Sequence, residues 1–236
     1  MAFKEIYDAL TKRKTLEQAY SDAADMLKRD KYMFNEACNA LLAGETFRKG
    51  VDGKKIPITE VLSLEDKKIN RMEIGIREFV FEYLALNTAP DISAALTLTS
   101  IVIDLERLGD YTKDLAKLML NKPIKIKGDV YIESVKEWKT TLLEMFELTQ
   151  DAFENEDKEK AHQVMELNKQ LRRDTDAILK KLEKDNKLTG KEILTYGLYT
   201  RYFRRVAAHL ENVATSVITP FKYTGFKGKT QTRHVK

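Results

Sequence analysis

Apolar residues recur at spacings of three and four along almost the whole chain, which is the spacing of one face of an α-helix. Few residues interrupt this pattern, because the 236 residues include only 10 glycines and 4 prolines. Such a composition argues against a loop-rich all-β domain and against a disordered chain. We therefore predict an all-α protein made of six long helices.

The helix ends are predicted from breakers and capping residues. Ser63 with Asp66, Asp91, and Thr189 with Glu192 have the spacing or chemistry of helix N-terminal caps. The glycines and the proline between Gly44 and Pro57 indicate a loop. The six predicted helices run approximately over Phe3–Leu42, Thr59 or Ser63–Leu86, Asp91–Leu120, Val130–Asn155, Asp157–Lys184, and from Thr189 to shortly before Pro220.

A breaker near the middle of the chain, between Asn121 and Gly128, separates two halves of three predicted helices each. A shift of 98 residues aligns the halves at Asn70/Asn168, Leu84/Leu182, Leu105/Phe203, Arg107/Arg205, Leu108/Val206, Leu115/Val213 and Ala116/Ala214. We interpret this as an internal repeat forming two tandem three-helix bundles. The predicted boundaries are 1–122 for the first repeat, 129–219 for the second, degenerate repeat, and 220–236 for a basic tail.

Charge and cysteine content exclude several protein classes. The net charge of +4 is concentrated after Thr219, where five basic residues and no acid occur, so the body is near neutral. Cys38 is the single cysteine, which rules out a disulfide framework, and its apolar neighbours indicate a small buried side chain.

No apolar run approaches the roughly 20 residues that span a bilayer. The first residues lack an apolar signal core, so we expect a cytoplasmic protein.

Residues 104–116 carry the most distinctive pattern. Ile101, Leu105, Leu108, Thr112, Leu115 and Met119 form a stripe that we predict to be buried. Glu106, Asp110 and Asp114 follow one another at spacings of four on a different face, and like charges at this spacing destabilise a helix. Either a hard metal ion or neighbouring bases such as Lys113, Lys117 and Arg107 compensate them. Gly109, unusual inside a helix, suggests close approach of a neighbouring helix.

The segment Asp104-Leu-Glu-Arg-Leu-Gly-Asp-Tyr111 closely resembles the signature of the PhoU family. Members of this family regulate phosphate uptake, consist of two three-helix repeats, and are known to bind iron or zinc clusters on outer faces. The resemblance implies such a cluster at Glu106, Asp110 and Asp114, and an acidic motif on the preceding helix adds Asp66 and Asn70. This chain has Asp114 where the family often has Asn, and Asp91-Ile92-Ser93 where it usually has Asp-Leu-Arg.

The second repeat departs from the family motif, since Arg204 and Ala208 stand where the motif has its acidic residues. Neither side chain can ligate a metal, so the resemblance implies a metal site on the first repeat alone. Arg201, Arg204 and Arg205 make the equivalent face basic. They bind an anionic partner or pair with acids nearby, and we favour the pairing.

The resemblance implies a non-catalytic regulator of phosphate uptake or phosphate signalling. Such a helical adaptor acts at the inner face of the membrane on a phosphate transporter, a sensor kinase, or both, and family members often dimerise. Two alternatives are a metal-dependent helical-bundle enzyme using the same carboxylates and a metal-free helical interaction module. A glycine-rich phosphate loop and a Gly-x-Ser-x-Gly nucleophile elbow are missing from the sequence. An interleaved basic-aromatic pattern is missing as well, so direct nucleic-acid binding is not expected.

Overall fold

A computed structural model describes residues 16–49, 53–121, 129–219 and 221. Within them the elements are α1 (Glu17–Ala43), β1 (Phe47–Lys49), β2 (Lys55–Pro57), α2 (Ile58–Leu86), α3 (Ile92–Asn121), α4 (Asp129–Asn155), α5 (Lys158–Leu182) and α6 (Gly190–Thr215). The predicted all-α fold of two three-helix bundles is confirmed. The predicted start of the first helix at Phe3 and nearly all of the basic tail lie outside the described residues. None of the described helices combines the length and apolarity that crossing a membrane requires.

Local signals set most helix ends as predicted. The Asp91 carboxylate accepts a hydrogen bond from the Ala94 amide at 2.9 Å, which caps α3. Thr189 and Glu192 form the reciprocal capping box of α6. The predicted cap at Ser63 is wrong, because α2 begins at Ile58, directly after the extended residue Pro57. Ser63 therefore lies one turn inside the helix.

The segment predicted as a loop contains two short strands. Phe47–Lys49 pairs antiparallel with Lys55–Pro57, and Arg48 lies opposite Ile56. Strands of three residues are too short to show an alternating pattern, so the sequence offered no signal for them. An ion pair between Arg48 and Glu36, at 3.1 Å, holds this strand pair against α1.

The two bundles pack side by side through α1 against α4 and α3 against α6. The Phe34 ring of α1 lies 5.7 Å from both the Phe146 ring of α4 and the Phe203 ring of α6, measured between ring centroids. Buried apolar residues of both repeats form one continuous core. Because the core crosses the boundary between the repeats, α3 packs against α1 and α2 of the first repeat and against α6 of the second.

The apolar stripe of α3 is buried as predicted. Ile101, Leu105, Leu108, Thr112 and Leu115 are all inaccessible or nearly so, whereas the side chain of Met119 lies outside the described part. Leu105 and Phe203, which the shift of 98 residues aligns, are both fully buried. Cys38 is a free, buried thiol, as its neighbours indicated. This orientation of α3 places Glu106, Asp110 and Lys113 at the surface of the first repeat.

Candidate functional site

The candidate site lies where α1, α2 and α3 approach each other around Gly109. A Cβ atom built on Gly109 would lie 3.2 Å from the Asp30 Oδ1 atom of α1 and 3.7 Å from the Asp66 Oδ1 atom of α2. It would also lie 3.6 Å from the Ile69 Cδ1 atom. The predicted close approach at Gly109 is therefore confirmed, and the space beside it is bounded by two carboxyl groups.

Lys113 connects α2 to α3 at this point. Its Nζ atom lies 2.6 Å from Asp66 Oδ1 and 3.0 Å from Asp110 Oδ1. Burial disfavours the charged ammonium, but the contacts with Asp66 and Asp110 outweigh that effect and raise the pKa of Lys113. The side chain of Asp66 is only 9% exposed, so this ion pair is shielded from water far better than an ordinary surface pair.

Glu106 faces a second group of charges at the outer surface. Burial and the neighbouring carboxylate of Asp110 raise the pKa of Glu106, and Glu73 of α2 adds to this effect. The Arg107 guanidinium lies at the edge of contact, 3.8 Å from Glu106 and 4.0 Å from Asp110. The structure thus brings Glu106 and Asp110 together, as predicted, and adds Glu73, which sequence analysis missed.

The other two predicted ligands have different surroundings. The Asp114 carboxylate lies 3.2 Å from Lys117 Nζ, and both side chains are well exposed. The Asn70 Oδ1 atom is buried and accepts no hydrogen bond from any described residue. Asp114 therefore belongs to a solvated ion pair of the kind that contributes little, while Asn70 presents an unused oxygen.

Asp30 is the most unusual polar residue of the site. Its side chain is fully buried, and neither carboxyl oxygen has a hydrogen-bond partner in the described part of the chain. Burial, with the nearby charges of Asp66 and Glu106, raises the pKa of Asp30 well above its ordinary value. Sequence analysis missed this residue, although its spacing from Leu27 and Phe34 places it on the buried stripe of α1.

The carboxylates do not form a metal centre in this arrangement. Among the described residues, no group of three or more His, Cys, Asp or Glu side chains is arranged to hold a metal ion. Oxygen donors such as these suit hard cations, but Lys113 already contacts Asp66 and Asp110. Iron or zinc bound by Glu106, Asp110, Asp114, Asp66 and Asn70 stays a prediction that the geometry does not favour.

The basic face of the second repeat lies on α6. The Arg204 Nη1 atom is 2.5 Å from Asp176 Oδ1 of α5, so this arginine pairs with a nearby acid. Arg201 and Arg205 are exposed. Pairing therefore accounts for Arg204, and the binding of an anionic partner by these arginines stays a prediction.

Comparison with known families finds two matches to one model, described as the PhoU domain, over residues 23–119 and 135–217. A curated relative from Clostridium acetobutylicum, described as a "phosphate-specific transport system accessory protein PhoU homolog", is 25% identical over 174 residues. That alignment covers 68% of this chain and 76% of the relative. The matches include both repeats and the whole acidic segment of α3.

Two solved structures share the fold. The crystal structure of PhoU from Pseudomonas aeruginosa superposes with a TM-score of 0.74 at 24% identity, covering 86% of this chain and 95% of that one. The phosphate transport system regulatory protein PhoU from Streptococcus pneumoniae also gives a TM-score of 0.74, at 18% identity, covering 90% and 96%. At these identities the likeness shows the architecture of two three-helix repeats.

Proposed function

Since this chain belongs to the PhoU family, we propose that it is a non-catalytic regulator of phosphate uptake and phosphate signalling. The observation that carries the proposal is the match of the family's domain to both repeats. The relative from Clostridium acetobutylicum, described as accessory to phosphate-specific transport, supports the same role. The fold suits an adaptor, because a rigid bundle offers long helix faces to partners.

The partner in this proposal is a phosphate transport system or its sensor kinase, which the protein contacts from the inner face of the membrane. The α2–α3 hairpin offers a surface for such a contact. Six of its exposed apolar residues, which we call the outer apolar face, are Ile74, Phe81, Leu86, Ile92, Leu96 and Ile103. Phe81 is 74% exposed, an unusual degree for a phenylalanine.

The spacing of the exposed apolar residues within each helix argues against a random scatter. Ile74 and Phe81 are seven residues apart on α2, and Ile92, Leu96 and Ile103 are separated by four and seven on α3, so each set shares a helix face. Single exposed apolar residues are ordinary, whereas a contiguous exposed group marks an interaction site. Ile103 also lies one turn before Glu106, so the α3 stripe leads into the acidic site.

Phosphate uptake in cells tests this proposal. The gene is deleted in its host, the strain is complemented with wild type or variants, and labelled phosphate uptake is followed in high and low phosphate. We expect Phe81→Glu and Ile103→Glu to give the deregulated uptake of the deletion strain, with unchanged protein level and circular dichroism. Leu194→Glu is the matched control, because Leu194 is 52% exposed on α6 of the other repeat.

Two results separate the parts of the proposal. Uptake that is identical in the deletion strain and the wild type would contradict the regulatory role itself. Regulated uptake with the Phe81→Glu and Ile103→Glu variants would leave that role in place and remove the outer apolar face as the docking surface. Co-purification with the phosphate transporter, compared among the same variants, measures the contact directly.

The predicted iron or zinc cluster is a separate question from the regulatory role. Elemental analysis of untagged wild type and a Glu106→Ala/Asp110→Ala variant tests it, since stoichiometric metal lost in the variant would place the cluster on the first repeat. The alternative of a metal-dependent enzyme needs the same metal and also a base or nucleophile beside it. A hydrolase and oxidase screen on protein incubated with iron or zinc distinguishes the enzyme from the regulator.

A further inference from the structure

The ammonium of Lys113 has the position that a bridging cation would take in the acidic site. Its two contacts, at 2.6 Å and 3.0 Å, join a carboxylate of α2 to a carboxylate of α3. The lysine itself is on α3, so the cation is covalently attached to one of the helices that it connects. It is 21% exposed, and Asp66 is more deeply buried still.

We propose that Lys113 is the resident cation of the first repeat's acidic site, holding Asp66 and Asp110 together without metal and excluding a divalent cation from them. A tethered ammonium has an advantage over a free ion, because it is always present at the site at a high effective concentration. A divalent cation that bound the same two carboxylates would have to displace the lysine and meet its positive charge nearby.

The local charge balance supports this inference. The acidic side chains that share the charge of the site are Asp66, Glu73, Glu106 and Asp110, and the basic side chains beside them are Arg77, Arg107 and Lys113. Asp30 also lies at the site, but burial and the nearby charges raise its pKa and so disfavour its charged form. Arg77 pairs with Glu73 at 2.7 Å, so this acid is also compensated from within its own helix. The basic side chains of the fold thus compensate most of the negative charge that Glu106 and Asp110 bring together on α3.

Burial makes Lys113 more important than the other two bases. The whole Asp66 residue is 6% exposed and lies beside the buried Asp30, so its carboxylate cannot be compensated by bulk water. Removing one partner of a buried ion pair leaves an uncompensated charge, which is strongly destabilising. Removing Lys113 is therefore expected to leave Asp66 and Asp110 free to bind a cation, which they are not in the wild type.

The experiment compares the cation binding of wild type with Lys113→Met, Lys113→Arg and Lys117→Met. Lys117→Met is the matched control, because Lys117 pairs with the exposed Asp114 on the same helix. Each protein is purified untagged, analysed for metal content, dialysed against chelator, and then titrated with Mn²⁺ and Zn²⁺ by calorimetry. Thermal unfolding is recorded with and without each ion, because a ligand of the folded state raises the unfolding midpoint.

We expect wild type, Lys113→Arg and Lys117→Met to be metal-free and to show no specific binding. Lys113→Met should have a lower unfolding midpoint without metal. It should bind Mn²⁺ or Zn²⁺ at least about tenfold more tightly than any residual, non-specific binding by wild type, and the bound ion should recover part of the lost midpoint. Stoichiometric metal in wild type would overturn the proposal. So would a Lys113→Met protein that binds no better than wild type.

A Lys113→Gln variant serves if Lys113→Met does not fold, because its polar side chain keeps a donor near Asp66 and Asp110 while removing the charge. The titration of wild type decides against the proposal by itself if specific binding is found. None of these measurements depends on phosphate uptake, so the proposal and the regulatory function can fail independently.

Discussion

The His209 Nδ1 atom of the second repeat lies 2.6 Å from the Asp104 Oδ1 atom of the first. Asn212 Nδ2, one turn further along α6, donates to the same oxygen at 2.9 Å. The Tyr111 ring of α3 stacks on the His209 imidazole with 5.4 Å between ring centroids. A partly buried polar cluster thus joins α3 to α6 beside the apolar core that the repeats share.

Asp104→Ala should lower the free energy of unfolding by about 1–3 kcal/mol, because it leaves two partly buried donors of α6 without their acceptor. His209→Ala should be destabilising as well, since it leaves the carboxylate with Asn212 alone. The two changes should not be additive, and a double-mutant cycle by urea unfolding measures the coupling between them.

The control for this prediction is an exposed pair between residues on different helices. Asp151 and Lys160 lie 3.7 Å apart with well-exposed side chains, so Asp151→Ala should change the unfolding free energy by at most about 1 kcal/mol. Equal effects of Asp104→Ala and Asp151→Ala, or strict additivity of Asp104→Ala and His209→Ala, would contradict the inter-repeat role of this cluster.

The sequence was sufficient for features that depend on neighbours along the chain. The caps at Asp91 and Thr189 are visible in the sequence because the acceptor and the amide that it binds are three residues apart. The buried stripe of α3 follows from helical periodicity. Gly109 was also informative, since a glycine that costs stability inside a helix requires a reason in the packing.

The chemistry of the site depends on neighbours in space, which one sequence does not specify. In the sequence Lys113 is one of several bases on α3, and its contact with Asp66 depends on the register between α2 and α3. Asp30 lies 36 residues before Asp66, and only the packing of α1 brings it to Gly109. The metal prediction rested on the spacing of the acidic residues of α3 and on the family motif, and neither shows that Lys113 lies between Asp66 and Asp110.

Alanine substitutions should distinguish Gly109 from Gly75, another glycine inside a helix. A Cβ at Gly75 would meet nothing within 4 Å, so Gly75→Ala should raise the unfolding free energy by about 0.5–1 kcal/mol through helix propensity alone. Gly109→Ala should gain less or lose stability, because its Cβ would lie 3.2 Å from a buried Asp30 oxygen. Equal gains by urea unfolding would show that the space beside Gly109 is not tightly filled.

Asp30→Asn should stabilise the protein at neutral pH. The raised pKa of Asp30 means that the folded protein disfavours its carboxylate, which the unfolded chain exposes to water without cost. The amide has nearly the same shape and carries no charge. Asp25→Asn is the control, since Asp25 is an exposed residue of the same helix and should change stability by no more than about 0.5 kcal/mol. A less stable Asp30→Asn protein would indicate that the buried carboxylate has a partner that compensates its charge.

Glu211 provides a test by pH on the second repeat. Burial raises the pKa of Glu211, although its hydrogen bond from Asn168 and the charge of Arg172 partly offset this effect. A carboxyl group with a raised pKa in the folded state favours folding most while it is protonated. That contribution is complete below the pKa of the unfolded chain, about 4.3, and is lost as the pH rises through the folded-state pKa.

Glu211→Gln should therefore gain stability relative to wild type as the pH rises from about 4, near the unfolded glutamate pKa, to neutrality. The glutamine oxygen can still accept the hydrogen bond from Asn168, so the substitution removes the charge while keeping the contact. Urea unfolding of both proteins at the two pH values measures the difference, and Glu166→Gln on the exposed side of α5 controls for the chemical change itself. A difference between Glu211→Gln and wild type that stays constant with pH would mean that the fold does not disfavour this partly buried carboxylate, and that Asn168 and Arg172 compensate its charge fully.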